Sequence, residues 1–144
     1  MPTGFSGYNQ SLDHYNSLYW DKRAMALYPG DVSKATVTHW LMYTFQSYLP
    51  FYYSHGFSTL VPHSVKRPLE NRVWYAYADE DASGSSVGSW VQATKVARVL
   101  DDGSSQVWQA VYNSMGRVTQ RTDPLGPHLA PSGNMPYNYG QVAT

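Results

Sequence analysis

Much of the chain alternates with a period of two. In Ala35–Met42, ATVTHWLM, positions Thr36, Thr38, Trp40 and Met42 fall on one side and Ala35, Val37, His39 and Leu41 on the other, the pattern of a strand with two distinct faces. Asn71–Tyr77, NRVWYAY, sets Val73, Tyr75 and Tyr77 against Arg72, Trp74 and Ala76. ATKVARVL and SQVWQAVY flank Asp101-Asp102-Gly103-Ser104, a hairpin signature because glycine takes positive φ without steric cost. Tyr112 then enters an Asn-Ser-Met-Gly turn, followed by a strand that closes on Asp123-Pro124-Leu125-Gly126. Glycines 103, 116 and 126 are spaced 13 and 10 residues apart, as in an antiparallel meander. These patterns predict a mostly-β fold of antiparallel hairpins, with core strands at Ala35–Met42, Arg72–Tyr77, Thr94–Leu100, Gln106–Tyr112 and Arg117–Thr122.

The remainder is less regular. Residues 1–17 are polar with scattered Gly, Ser and Asn, and read as irregular. Leu18–Tyr28 reads as a strand ended by the turn pair Pro29-Gly30. From Ala35 to Val65 no Asp, Glu, Lys or Arg occurs, and the block Tyr43–Leu60 is crowded with aromatics. A membrane span needs about 20 predominantly apolar residues; Gln46, Ser47, Pro50, Ser54, His55 and Gly56 interrupt this one, so no span is expected. The organisation expected is an aromatic-rich, partly irregular region 1–70, a β-hairpin region 71–126, and a loose Pro/Gly-rich tail 127–144.

Composition narrows the functional classes. In 144 residues, ten basic and ten acidic side chains cancel, which argues against a phosphate-tracking nucleic-acid binder or a polybasic membrane anchor. There are 13 Tyr and 5 Trp, residue types that suit a pleated, half-buried surface. Cysteine is absent, which excludes disulfides and thiolate metal sites. The opening MPTGFSGYNQSLDHYNS has neither a basic nor an apolar leader region, so no signal peptide is read there.

Three stretches invite a chemical reading. Gly84–Gly88, GSSVG, matches the G-x-S-x-G elbow that exposes a nucleophilic serine, here Ser86. That elbow requires a strand running into a strained turn and then a helix, whereas a polar acidic loop precedes Ser86 and SWVQAT follows. A flexible loop is the better reading. Asp79, Asp81, Ser83 and Gly84 occupy the first, third, fifth and sixth positions of a calcium loop, but the twelfth is Trp90 where a bidentate Glu is needed. The histidines at 14, 39, 55, 63 and 128 have no spacing that places two on one helix face, although strands can converge His39, His55 and His63. The residues thus name no catalytic group, cofactor or metal. Exposed Trp and Tyr could serve as sugar-stacking platforms; cross-strand aromatic pairing, at roughly 0.2–1 kcal/mol per pair, explains such regular alternation more simply.

Tyr112–Gly126, YNSMGRVTQRTDPLG, resembles a unit of the Rhs/YD-repeat family. Tyr112, Gly116, Arg117, Val118 and Thr119 match its pattern, as do Asp123, Pro124, Leu125 and Gly126, with Asn113 where Asp is usual. The repeat-like unit covers about a tenth of the chain. The upstream text, YWDKRAMALYPGDVSKATVTHWL and SVKRPLENRVWYAY through to ARVLDDGSSQ, is similar to the stretch leading into the repeats in some members. The resemblance implies a non-catalytic piece of a hollow β-shell of an exported or cell-surface protein. Such shells enclose a toxin in interbacterial competition or act at cell surfaces, and their repeats are sometimes described as carbohydrate-binding. Its partners would be the remaining shell strands, with glycans as an alternative ligand.

The motif also makes physical sense by itself. Gly116 can take positive φ, Tyr112 can pack over the turn, and Arg117 can reach a nearby acceptor. Two features depart from the family. Pro127-His128-Leu129 follows Gly126 in place of a further repeat, and the Tyr43–Leu60 block fits neither repeat nor linker. A truncated or frame-shifted remnant of a larger gene would account for both, which sequencing the flanking DNA would test. One or two repeat units leave open sheet edges, so marginal independent stability is expected.

Overall fold

The computed structural model describes residues 1–2, 5, 15–46, 54–80, 87–124 and 126–129. Among these residues eight strands form one antiparallel sheet, each hydrogen-bonded to its neighbours in sequence: β1 Asn16–Tyr19, β2 Thr36–Gln46, β3 Ser54–Lys66, β4 Val73–Tyr77, β5 Ala93–Val99, β6 Ser105–Tyr112, β7 Val118–Asp123 and β8 Gly126–Leu129. The mostly-β meander read from the sequence is therefore the fold, and five of its strands fall at the expected places.

Leu18–Tyr28 is corrected. Only Asn16–Tyr19 is strand, and Lys22–Leu27 forms a helix, α1, followed by a 3-10 turn at Val32–Lys34. The Asp21 carboxylate caps α1 by accepting the Ala24 N–H at 2.7 Å. KRAMAL then supplies good helix formers and no β-branched residue. Asp31 repeats the device at the 3-10 turn, accepting from Ser33 N–H at 2.9 Å; hydrogen bonding from the Ser33 side chain, and then from its backbone, holds the Asp31 carboxyl below the usual range.

The long β3 was not anticipated either, because Gly56 and Pro62 interrupt its apolar pattern. Within the Tyr43–Leu60 block, residues 43–46 lie in β2 and 54–60 in β3. Of the expected loose tail, residues 127–129 pair with β7 in β8; residues 130–144 lie outside the described residues.

One face of the sheet holds the core. Register places His39 opposite Ser64, Ser64 opposite Trp74, Trp74 opposite Ala97, and Ala97 opposite Val107, one row across five strands. Directly opposed residues share a face. Phe5, from the N-terminal segment, packs with Trp74, Ala76, Ala97 and Val107.

Candidate functional site

The most enclosed polar cluster in the described residues lies where β2, β3 and β4 meet. Its origin is an irregularity in the ladder: His39 pairs with Ser64, but Trp40 pairs with Pro62, so His63 is an extra residue on β3. Such a bulge turns two successive side chains towards one partner. His63 and Ser64 thus both approach His39, and all three are buried. Pro62 is tolerated at the irregularity because the ladder there asks no N–H of it, and its carbonyl accepts the Tyr77 hydroxyl at 2.6 Å. A second shift, between Trp40 and Met42, leaves Leu60 exposed. There the Thr59 hydroxyl donates to the Leu41 carbonyl at 2.8 Å, satisfying a backbone group the broken ladder leaves behind.

The two imidazoles meet Nδ1 to Nδ1 at 3.0 Å, with ring centroids 5.0 Å apart. One must therefore carry its proton on Nδ1 and donate, while the other accepts. His63 also stands edge-on to Trp74, centroids 5.4 Å apart. Arg72 donates to the Ser64 hydroxyl at 2.9 Å, and its guanidinium lies 5.9 Å from the Trp74 ring. Burial, then His39 and Arg72, push His63 down to about 4. Burial likewise lowers the Arg72 guanidinium and is the main reason the Tyr77 phenol is raised. Among the described residues no third His or carboxylate joins the pair to make a metal-binding group. The sequence held the signal for this cluster only as a set of histidines on convergent strands; the pairing itself depends on the bulge.

The repeat-like residues form a separate, exposed structure. Gly116 takes φ +74°, its N–H donates to the Asn113 carbonyl at 2.9 Å, and the Asn113 N–H donates to the Arg117 carbonyl at 2.9 Å. The Asn113 side-chain oxygen accepts from the Met115 and Arg117 N–H groups, both at 3.0 Å. An Asp carboxylate can accept the same two bonds, so the departure at this position leaves the turn's chemistry unchanged. Tyr112 reaches away from the turn, donating its hydroxyl to the Ala93 carbonyl on β5 at 2.9 Å. The Arg117 side chain is exposed. Asp123 and Gly126 face each other across the β7–β8 hairpin, which turns at Pro124.

Of the other candidates, Ser86, Asp81, Ser83, Gly84 and His14 lie outside the described residues. His55 and His128 occupy register positions opposite Phe45 and Arg121, away from the His39–His63 pair. Asp79 binds Ser89: its carboxylate accepts the Ser89 N–H at 3.1 Å and the Ser89 hydroxyl as well. These bonds lower its pKa and fasten the base of the loop. Gly88 is required there because a Cβ would lie 2.3 Å from the Asp79 carbonyl oxygen. A shallow groove of about 440 Å³ lies beside this loop and includes Trp90, Lys95, Gln109, Val111 and Tyr112 in its lining.

No helix among the described residues is long and apolar enough to cross a membrane. No protein-family model matches the chain, and neither a curated protein nor a solved structure does.

Proposed function

We propose that the chain is a non-catalytic wall element, a piece of an Rhs/YD-type β-shell. The observation that carries this reading is the repetition of one turn. Leu100–Ser104 and Asn113–Arg117 close with the same two backbone bonds and the same positive-φ glycine, at Gly103 and Gly116. A hairpin unit of this kind adds strands laterally without a separate core, as a wall requires.

The experiment is to append one and then two further copies of Tyr112–Leu129 to the chain and record thermal melts. A wall unit raises Tm with each copy because each buries the edge of the last. An unchanged or falling Tm with added copies counts against the reading.

A carbohydrate-binding role is the second reading, favoured by Trp90 in the groove lining, 38% exposed. Glycan titration followed by Trp fluorescence separates the two, since a wall element gives no saturable quench. A serine-reactive probe addresses the remaining alternative, a hydrolase at Ser86.

A further inference from the structure

The sheet ends in two edges of different make. Among the described residues β1 pairs only with β2, and β8 only with β7. Both edge strands are four residues long, but β8 reads GPHL and β1 reads NSLY. Proline cannot donate to an added strand, so Pro127 blunts the β8 edge. No proline or charged residue does the same for β1.

The segment that contains and follows β1 is dense in uncovered apolar side chains. Leu18, Tyr19, Met25, Leu27, Tyr28 and Val32 are each between 44% and 67% exposed. No residue of α1 is buried, although so short a helix depends on packing for its stability. What holds the segment is local. The Asp21 carboxylate caps α1, the Trp20 indole donates to the Asp31 carbonyl at 2.9 Å, and the Lys34 ammonium lies 5.5 Å from the Tyr28 ring. At about 200 Å² for a whole side chain, these six leave roughly 600 Å² of surface in water, the upper end of what an ordinary monomer shows in one patch.

We propose that this edge is a self-association surface, at which two copies of the chain pair β1 with β1 and bury Leu18, Tyr19 and the uncovered side chains of α1 against each other. Antiparallel pairing of an edge with itself is two-fold symmetric and closes at two chains. Pairing of β1 with β8 would run on as an open filament and would meet Pro127. With the backbone edge of β1 added, the area approaches the roughly 800 Å² per partner of a standard stable interface. The charges in the segment are of both signs. Lys22, Arg23 and Lys34 stand beside Asp21 and Asp31, so a two-fold axis can set unlike charges opposite each other. An anionic lipid surface would call for a clear excess of cations. The dimer does not depend on the wall reading, whose test acts at the β8 end.

Sedimentation equilibrium on the full chain, from micromolar to near-millimolar concentration, tests the proposal and should give a monomer–dimer equilibrium that stops at two chains. Over the same range the Ser17, Leu18 and Tyr19 amides should gain protection from hydrogen exchange, and those of His128 and Leu129 should not change. Tyr19→Lys puts a charge on the edge and should raise the dimer dissociation constant about tenfold or more, as should Leu27→Lys on α1. Met115 is an exposed apolar residue of the β6–β7 turn, and Met115→Lys should leave the constant within about twofold of the parent. A chain that stays monomeric, assembly that continues past two, protection gained at β8 in place of β1, or a Met115→Lys chain as weakened as Tyr19→Lys would each overturn it. So would a monomer that sediments with vesicles of phosphatidylserine and phosphatidylcholine, which would assign the surface to lipid. If a lysine variant fails to fold, the wild-type sedimentation and exchange decide the matter.

Discussion

The β5–β7 hairpins and the β2–β3 hairpin belong to one sheet but are held together by different means. Between β5 and β6 the register is unbroken from Lys95–Gln109 to Val99–Ser105. The turns on either side of β6 are closed by backbone bonds and by a side chain from within the turn. Asp102 accepts from the Ser104 N–H at 2.9 Å, as Asn113 does from its own neighbours. Most of these strand residues are half-buried or exposed. The β2–β3 hairpin instead breaks register twice and places His39, Leu41, His63 and Ser64 in full burial. Regular pairing with local turn chemistry tolerates exposure. Irregular pairing here coincides with enclosure, because the side chains must supply the bonds that the ladder gives up.

Four perturbations sharpen this contrast. Trp74→Ala removes the ring that joins the buried row to His63 and should cost about 3–5 kcal/mol, read as a lower urea midpoint. An equal loss from Val111→Ala, a residue 52% exposed on β6, would erase the contrast.

Acid is next. His63 titrates at 6.5 when unfolded and is lowered to about 4 in the fold, so its contribution is complete above pH 6.5 and disappears as pH falls from 6.5 towards 4. Allowing for partial solvent screening, the loss is on the order of 2 kcal/mol, measurable by urea denaturation at pH 7 and pH 4.5. His63→Phe should flatten that dependence.

Smaller again, Gly103→Ala and Gly116→Ala should each cost about 1–2 kcal/mol, because both glycines lie in the left-handed region. Gly116→Ala should be the worse of the two. A Cβ there comes within 3.2 Å of the Gln92 side chain, whereas nothing lies within 4 Å at Gly103. Thermal melts of the pair read this difference.

The smallest effects concern Asn113. Asn113→Asp should stay within about 0.5 kcal/mol of the parent, while Asn113→Ala, which strands two backbone donors, should lose about 1 kcal/mol. An Asn113→Asp chain as damaged as Asn113→Ala in thermal melts would mean that the turn needs the amide itself.

The legible parts of the chain share a physical cause. Asp102-Gly103 and Asn113 to Gly116 specify their turns through interactions at most four residues apart, so the hairpins and the strand alternation could be read from sequence alone. The α1 helix was equally local, with its Asp21 cap and its Ala, Met and Leu, but the flanking Tyr19, Trp20 and Tyr28 suit a strand as well. Proline and glycine hid β3, since a strand that bulges at Pro62 carries no clean period. The His39–His63 contact joins residues 24 apart. It exists only because an extra residue in the ladder rotates His63 onto the buried face. The sequence by itself determined the antiparallel meander and its turns, because short-range backbone geometry controls both. Only the tertiary structure decided which histidines meet and which face is enclosed, because each depends on strand register, and a shift of one residue exchanges the faces.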